Sequence, residues 1–89
     1  MMLHIFNKPQ AFQAFAKFVQ ASDSVIFIEN GVYCLLGDDI KLKTENIFVL
    51  EADVLARGLV GRIDDDIKRV TYEGFVDVCS DASSISSWF

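Results

Sequence analysis

Basic residues, histidine and cysteine are scarce in this chain, and their scarcity excludes several classes of function. Eight Lys and Arg stand against 13 Asp and Glu, so the formal net charge is −5. The basic residues are dispersed, so direct binding to nucleic acid, which needs clustered cations, is not expected. One histidine, two separated cysteines and five scattered glycines indicate neither a metal site nor a phosphate-binding loop. We therefore expect no metal and no other cofactor.

Long apolar runs and a targeting segment are also lacking. The apolar runs are far shorter than the ~20 residues that a membrane-spanning helix requires. No basic segment followed by an apolar stretch stands at the beginning, so no signal peptide is expected. Two cysteines, Cys34 and Cys79, are too few for the disulfide framework of a small secreted domain. These features predict a soluble protein of the reducing cytoplasm.

Apolar residues, by contrast, are abundant. They make up 52% of the 89 residues, and Phe occurs eight times. The length suits one domain, residues 1–89, and so small a domain has a thin margin of stability. Its apolar content exceeds what one small core easily hides, which favours contact with another subunit. The alternative is apolar residues scattered singly over the surface, which are common.

Short apolar segments alternate with amphipathic ones along the chain. This alternation predicts an α/β fold with a mainly parallel sheet of four to five strands and helices on both faces. The secondary structure of residues 40–43 is ambiguous, because the segment alternates like a strand but is very short. The predicted strands are residues 1–6, 24–29, 46–50 and 67–70 and a last edge strand near Ile85 and Trp88. The predicted helices run from Pro9 to a stop at Ser22-Asp23, over residues 32–36, over residues 51–57, and onward from the N-cap residue Thr71.

Ligands of parallel sheets gather beyond the carboxyl ends of the strands. In this sequence those ends are Asn7-Lys8, Glu29-Asn30-Gly31, residues 50–52 and residues 70–72. They indicate where a site would lie, without indicating its chemistry.

Cys34 is the weak candidate for a reactive residue. It follows the Asn30-Gly31 turn, and a helix N-terminus would lower the pKa of its thiol and favour the nucleophilic thiolate. The alternative, which we favour, is a small buried apolar residue. Cys79 lies on the apolar face of the last helix without an activating cation, which favours a buried structural role more strongly.

His4 and Arg57 are the other polar residues of interest. His4 lies in an apolar strand, which favours a hydrogen-bonded core residue, and no Asp or Glu has a spacing expected to pair with it. Arg57 ends a predicted helix, where a cation complements the helix dipole. Arg57 is alternatively an interfacial guanidinium that pairs with a carboxylate of a sister subunit.

Several stretches, in their order and spacing, resemble those of a known family. They are Met2-Leu3-His4, residues 25–32 (VIFIENGV), residues 49–58 (VLEADVLARG), residues 72–76 (YEGFV) and Trp88. Together they resemble the DsrH/TusB family, small subunits of bacterial sulfur-relay complexes. The resemblance implies a three-layer DsrE-like α/β fold.

The resemblance also implies a role. In TusBCD-type relays, three related subunits form a heterohexamer that takes persulfide sulfur from one carrier protein and passes it to another. That sulfur ends as the 2-thio group of a wobble uridine in tRNA, whereas the DsrEFH complex is the counterpart in sulfur oxidation. The principal sulfur-accepting cysteine belongs to the sister subunit.

Some family members carry a cysteine in the first helix, but this chain has Phe15 at the matching place. Cys34 and Cys79 match no family cysteine and inherit no role. We therefore expect a non-catalytic subunit that assembles with TusC- and TusD-like siblings and docks sulfur carriers. The alternatives are a sulfur carrier using Cys34, a subunit of sulfur oxidation, and an unrelated self-associating module. The expected interface or motif residues are Glu29, Asn30, Gly31, Arg57, Gly58 and Trp88.

Overall fold

The structure, a computed structural model, describes residues 1–37 and 42–89. The ambiguous stretch 40–43 and the predicted loop 37–39 thus lie partly outside the described residues. The elements, in chain order, are β1 (Met2–Phe6), α1 (Pro9–Phe15), a 3-10 turn (Ala16–Phe18), β2 (Ser24–Phe27), a 3-10 helix (Glu29–Leu36), β3 (Ile47–Leu50), α2 (Glu51–Ala56), a 3-10 turn (Val60–Arg62), β4 (Lys68–Val70), α3 (Tyr72–Asp81) and β5 (Ser84–Trp88).

The five strands form one sheet in the order β4-β3-β2-β1-β5, and every pair of neighbours is parallel. The predicted α/β fold with a mainly parallel sheet is confirmed. The chain moves outward from β1 to β4 and then returns through α3 to the other side of β1. The last strand, predicted at an edge, lies at that edge and pairs with β1.

Two apolar clusters cover the two faces of the sheet. The larger joins alternate strand residues to α1, the 3-10 helix and α2, and the smaller joins the other strand residues to α3. The central strands are buried on both faces, which explains their continuous apolar sequence. The larger cluster includes Phe6, Val25, Phe27, Val49 and Val54, and the smaller includes Leu3, Ile5, Ile26, Ile28 and Leu50.

The predicted cap and apolar face of the last helix are both confirmed. The hydroxyl of Thr71 accepts a hydrogen bond from the backbone N–H of Gly74 at 3.1 Å, as expected of an N-cap. The predicted face, Phe75, Val78, Cys79 and Ala82, packs on the smaller cluster.

Two predicted helices differ from the observed ones. The first ends as an α-helix at Phe15, before the predicted stop at Ser22-Asp23. The carboxylate of Asp23 accepts the backbone N–H of Gln20 at 2.8 Å, and such local bonds compete with helix continuation. The second begins at Glu29, so that the predicted Asn30-Gly31 turn is its first turn, and it is a 3-10 helix.

Candidate functional site

Gly31 brings the start of the 3-10 helix against the end of β1. A Cβ atom at this position would overlap the carbonyl oxygen of Phe6, so any other residue would force the backbone to shift. The backbone N–H of Ile28 donates to that same oxygen at 3.0 Å. The carboxyl ends of β1 and β2 are therefore joined by a backbone contact that only glycine permits.

Glu29 precedes this contact in a strained conformation. Its φ is 50°, in the left-handed region that non-glycine residues seldom occupy. The carboxylate of Asp53, in α2, accepts its backbone N–H at 2.7 Å. Asp53 thereby fixes the backbone that follows β2, a role that no local pattern around this carboxylate predicts.

Arg57 joins the same group from the C-terminal end of α2. Its Nε and Nη2 atoms both donate to the side-chain oxygen of Asn30, at 3.1 and 3.0 Å. Nη1 donates to the backbone oxygen of Asp53 at 3.2 Å and lies 3.5 Å from its carboxylate. The guanidinium also lies 6.0 Å from the centre of the Tyr33 ring, within the range of a cation–π contact. Arg57 therefore has partners within its own chain.

Gly58 follows the end of α2 in the capping position that the sequence predicts. Its φ is +67°, its N–H donates to the Leu55 carbonyl at 3.1 Å, and the N–H of Leu59 donates to the Val54 carbonyl at 3.0 Å. These are the paired bonds of a Schellman motif. The structure thus brings together Glu29, Asn30, Gly31, Arg57 and Gly58, five of the expected motif residues, at the carboxyl edge of the sheet.

Trp88 belongs to a second group, centred on His4. The indole N–H of Trp88 donates to Nδ1 of His4 at 3.0 Å. The opposite nitrogen, Nε2, lies 2.9 Å from the carboxylate of Asp23. The Trp88 ring also stacks on Phe15, with ring centres 4.5 Å apart, and on Phe18. One side chain from the last strand is thereby tied to β1 and to the first helix.

The prediction that no acidic residue pairs with His4 is wrong, because Asp23 pairs with it. The partners are 19 residues apart, yet Leu3 and Ser24 lie side by side in the register of β1 and β2. An acidic residue just before β2 therefore lies beside the start of β1. Neighbouring parallel strands of one β-α-β unit are the signal that could have identified the pair.

Asp23 is held as a carboxylate in spite of its burial. Burial alone would raise the pKa of this carboxyl, but hydrogen bonds from the backbone of Gln20, from His4 and from the backbone of Met2 lower the pKa below its ordinary value. Hydrogen bonds to the charged form always act in this direction. The residues around His4 therefore combine a buried imidazole with a buried carboxylate.

Both thiols are weaker acids in the folded chain than an ordinary cysteine. Cys34 lies in the second half of the 3-10 helix and packs against the larger cluster. Burial raises the pKa of the Cys34 thiol to about 11, so the lowering expected from a helix N-terminus is wrong. Burial also raises the pKa of Cys79. Neither thiol is activated as a thiolate by this structure.

Two broader features of the described residues bear on function. No three His, Cys, Asp or Glu side chains within residues 1–37 and 42–89 come together as a possible metal site. None of the helices in that same part of the chain has the length and apolar character needed to cross a membrane.

Comparison with known proteins identifies the family of this chain. Residues 7–84 match the family model described as DsrH like protein. The chain is 37% identical over 70 residues to Protein TusB of Yersinia enterocolitica and, equally, to that of Yersinia pestis, with 73% of this chain and 74% of the relative covered. The solution NMR structure of protein Tm0979 from Thermotoga maritima superposes with a TM-score of 0.70 at 22% identity, covering 90% of this chain and 92% of that one, and shares the fold.

The family match spans most of the chain. The 37% sequence identity to Protein TusB is also higher than a shared fold alone requires. The expected resemblance is confirmed, and the chain belongs to the DsrH-like protein family.

Proposed function

We propose that this protein is a non-catalytic subunit of a cytoplasmic sulfur-relay complex of the TusBCD type. In this role it assembles with TusC- and TusD-like siblings and helps to dock the carrier proteins that bring and remove persulfide sulfur. The pathway that we propose leads to the 2-thiolation of wobble uridine in tRNA. Membership of the DsrH-like family, with Protein TusB among its relatives, supports this assignment.

The environment of the thiols is the observation that carries the non-catalytic part of the proposal. A cysteine accepts sulfur as a thiolate. Because burial raises the pKa of Cys34 to about 11, Cys34 forms the thiolate far less readily than an ordinary cysteine. Cys79 is shifted in the same direction. The family resemblance also implies that Phe15 stands where some family members carry a cysteine. The persulfide would therefore be carried by a sibling.

Assembly is tested by co-expression of the chain with its two sibling subunits. We expect the three chains to purify together, and native mass spectrometry to give one mass containing all of them. Arg57→Ala and Trp88→Ala examine the expected interface residues, and Lys43→Ala, at an exposed position, is the control. A chain that never associates with its siblings would contradict the proposal.

Sulfur transfer is tested separately with a cysteine desulfurase, free cysteine and the assembled complex. We expect a persulfide mass on a sibling and none on the peptide containing Cys34. Cys34→Ser and Cys79→Ser should leave the formation of thiouridine in cells unchanged. A persulfide on Cys34 whose loss stops the relay would instead establish the carrier role. If a strain that lacks the gene for this chain forms as much thiouridine as the wild type, the assignment moves to the sulfur-oxidation alternative.

A further inference from the structure

A single helix covers the α3 side of the sheet in the part of the chain that the structure describes. The smaller apolar cluster draws its helical residues from α3 alone, whereas α1, the 3-10 helix and α2 all pack on the opposite face. Five strands spaced ~4.8 Å apart make a sheet ~19 Å wide, and a helix with its side chains is only ~10–12 Å wide. The α3 side therefore leaves room for one more helix beside α3.

The two flanks of α3 differ in how well the sheet beside them is covered. On the β4 flank, the ammonium group of Lys68 lies over the Phe48 ring, 5.1 Å from its centre. On the β5 flank, Ile85 points to the α3 side, because it is level with Leu3 in the parallel register and Leu3 packs in the smaller cluster. The side chain of Ile85 is nevertheless 48% exposed. The uncovered flank is thus the one beside β5.

An apolar row of α3 faces this uncovered flank. Tyr72 and Val76 are four residues apart, so they lie one above the other on the surface of the helix, and each is 62% exposed. Gly74, which is about 160° from both around the helix axis, lies against the side chain of Val70 in β4. Tyr72 and Val76 therefore face away from β4, on the same side of α3 as Ile85.

A row of carboxylates borders this apolar row. Glu73, Asp77 and Asp81 repeat every four residues along α3 and are all exposed, and α3 contains no Lys or Arg. Among the described residues, none of the three takes part in a salt bridge. Like charges at this spacing repel each other, and the helix dipole opposes a negative charge in the last turn. Cations supplied by a partner would relieve both effects.

We propose that the α3–β5 surface, formed by Tyr72, Val76 and Ile85, docks a basic amphipathic helix of a partner protein. The apolar face of that helix lies beside α3 and over β5, at the ~8–10 Å separation that is usual for packed helices. Its Lys and Arg side chains extend across the outer side of α3 to Glu73 and Asp77, since their apolar stems can cover such a surface.

The charges and the size of the α3–β5 surface favour this occupant over others. A second copy of the same surface would oppose two acidic rows, and an anionic membrane would also be repelled, whereas a basic segment is attracted. Permanent subunit interfaces are larger and more apolar than three side chains beside a row of carboxylates, which suits a transient partner better.

The first test titrates the full chain with a labelled synthetic peptide and follows binding by fluorescence anisotropy. The peptide is a helix of Leu and Lys whose Leu residues form one face, and the control peptide has the same composition with Leu dispersed around the helix. Val76→Ser should raise the Kd about tenfold or more, as expected when a central apolar contact is lost. Leu55→Ser, at an exposed side chain of α2, is the matched control and should leave the Kd within about twofold of the wild type.

The second test examines the acidic row. Glu73→Gln together with Asp77→Asn should weaken binding of the same peptide about tenfold at low salt, and the loss should shrink as salt screens the charges. Asp65→Asn together with Asp66→Asn removes the same charge from an exposed turn and is the matched control. Circular dichroism verifies that every variant is folded.

Equal losses in the test variants and in their controls overturn the proposal, as does equal binding of the two peptides. Displacement of the peptide by added sibling subunits assigns the α3–β5 surface to subunit assembly, and self-association that Val76→Ser abolishes assigns it to a second copy. Either result overturns docking of a transient partner. Docking at this surface does not rest on the proposed function. A chain that binds the peptide there but never associates with siblings contradicts the proposed function alone.

Discussion

The indole N–H of Trp88 donates to Nδ1 of His4 at 3.0 Å, and this single bond determines how the buried imidazole is protonated. An indole nitrogen only donates, so Nδ1 of His4 accepts and carries no proton. The proton lies on Nε2, which donates to the carboxylate of Asp23 at 2.9 Å. The network thereby connects the last strand, the first strand and the turn before β2.

Trp88→Phe tests the contribution of this bond. Phe retains an aromatic ring beside Phe15 but removes the N–H, so Nδ1 of the buried His4 loses its donor. We expect the free energy of unfolding to fall by about 1–3 kcal/mol, measured by urea denaturation with circular dichroism. The control is Phe89→Leu, at a side chain that is 65% exposed, which should change stability by no more than about 0.5 kcal/mol. Equal effects of the two substitutions would contradict the role of the hydrogen bond.

Asp23→Asn tests the pH dependence of stability. The pKa of Asp23 is lower in the folded chain than its ordinary value, so the unfolded chain binds the proton more tightly. The stability that this carboxylate contributes is therefore fully present above the ordinary value of 3.8 and is lost as the pH falls through the folded pKa.

At pH 7 we expect Asp23→Asn to cost about 1.5–3 kcal/mol, because hydrogen bonds to a charged acceptor are lost. The difference from the wild type should shrink below pH 4, when unfolding is followed by urea titration at several pH values. A difference that stays constant down to the acid limit would show that Asp23 is not the linked group. Asp65→Asn, at an exposed turn, is the control.

Gly31→Ala tests the contact between β1 and the 3-10 helix. The added methyl group would overlap the carbonyl oxygen of Phe6, so the backbone must move. We expect a loss of about 1–3 kcal/mol or more in the free energy of unfolding. Gly61→Ala is the matched control, because a Cβ atom there meets nothing within 4 Å. A similar cost at both positions would argue against the close approach.

Arg57 and Asn30 are tested by a double-mutant cycle. Arg57→Ala and Asn30→Ala each break the same two hydrogen bonds, so their effects on stability should not add. We expect a coupling energy of about 0.5–1.5 kcal/mol from urea denaturation of the four proteins. Lys43→Ala combined with Asn30→Ala should be additive. Additive behaviour of Arg57 and Asn30 would mean that their bonds do not stabilise the isolated chain.

The reactivity of Cys34 follows from its raised pKa. A thiol with a pKa of about 11 holds about a hundredfold less thiolate at neutral pH than one at the ordinary 9.0. We expect slow modification of Cys34 by iodoacetamide in the folded chain, rising as the pH approaches 11, and rapid modification in urea. Peptide mass spectrometry measures both rates. Rapid modification of the folded chain at pH 7 would contradict this environment.

The residues of the sheet edge were predictable to different degrees. Glu29, Asn30 and Gly31 follow an apolar strand, and Arg57 and Gly58 end a periodic segment, so local pattern placed each of them. Their mutual contacts were not predictable, because the bonds of Arg57 to Asn30 join residues 27 positions apart. The role of Asp53 was likewise missed, since an acidic residue in a helical first turn usually has only a local explanation.

The amino-acid sequence by itself determined the order of strands and helices, the N-cap at Thr71 and the end of α2 at Gly58. These features depend on neighbouring residues, whose periodicity and backbone preferences are readable along the chain. Only the tertiary structure decided that Asp23 meets His4, that Trp88 completes their network and that burial raises the pKa of Cys34. Those outcomes depend on which strands lie side by side and how deeply each group is buried, and packing between distant segments sets both.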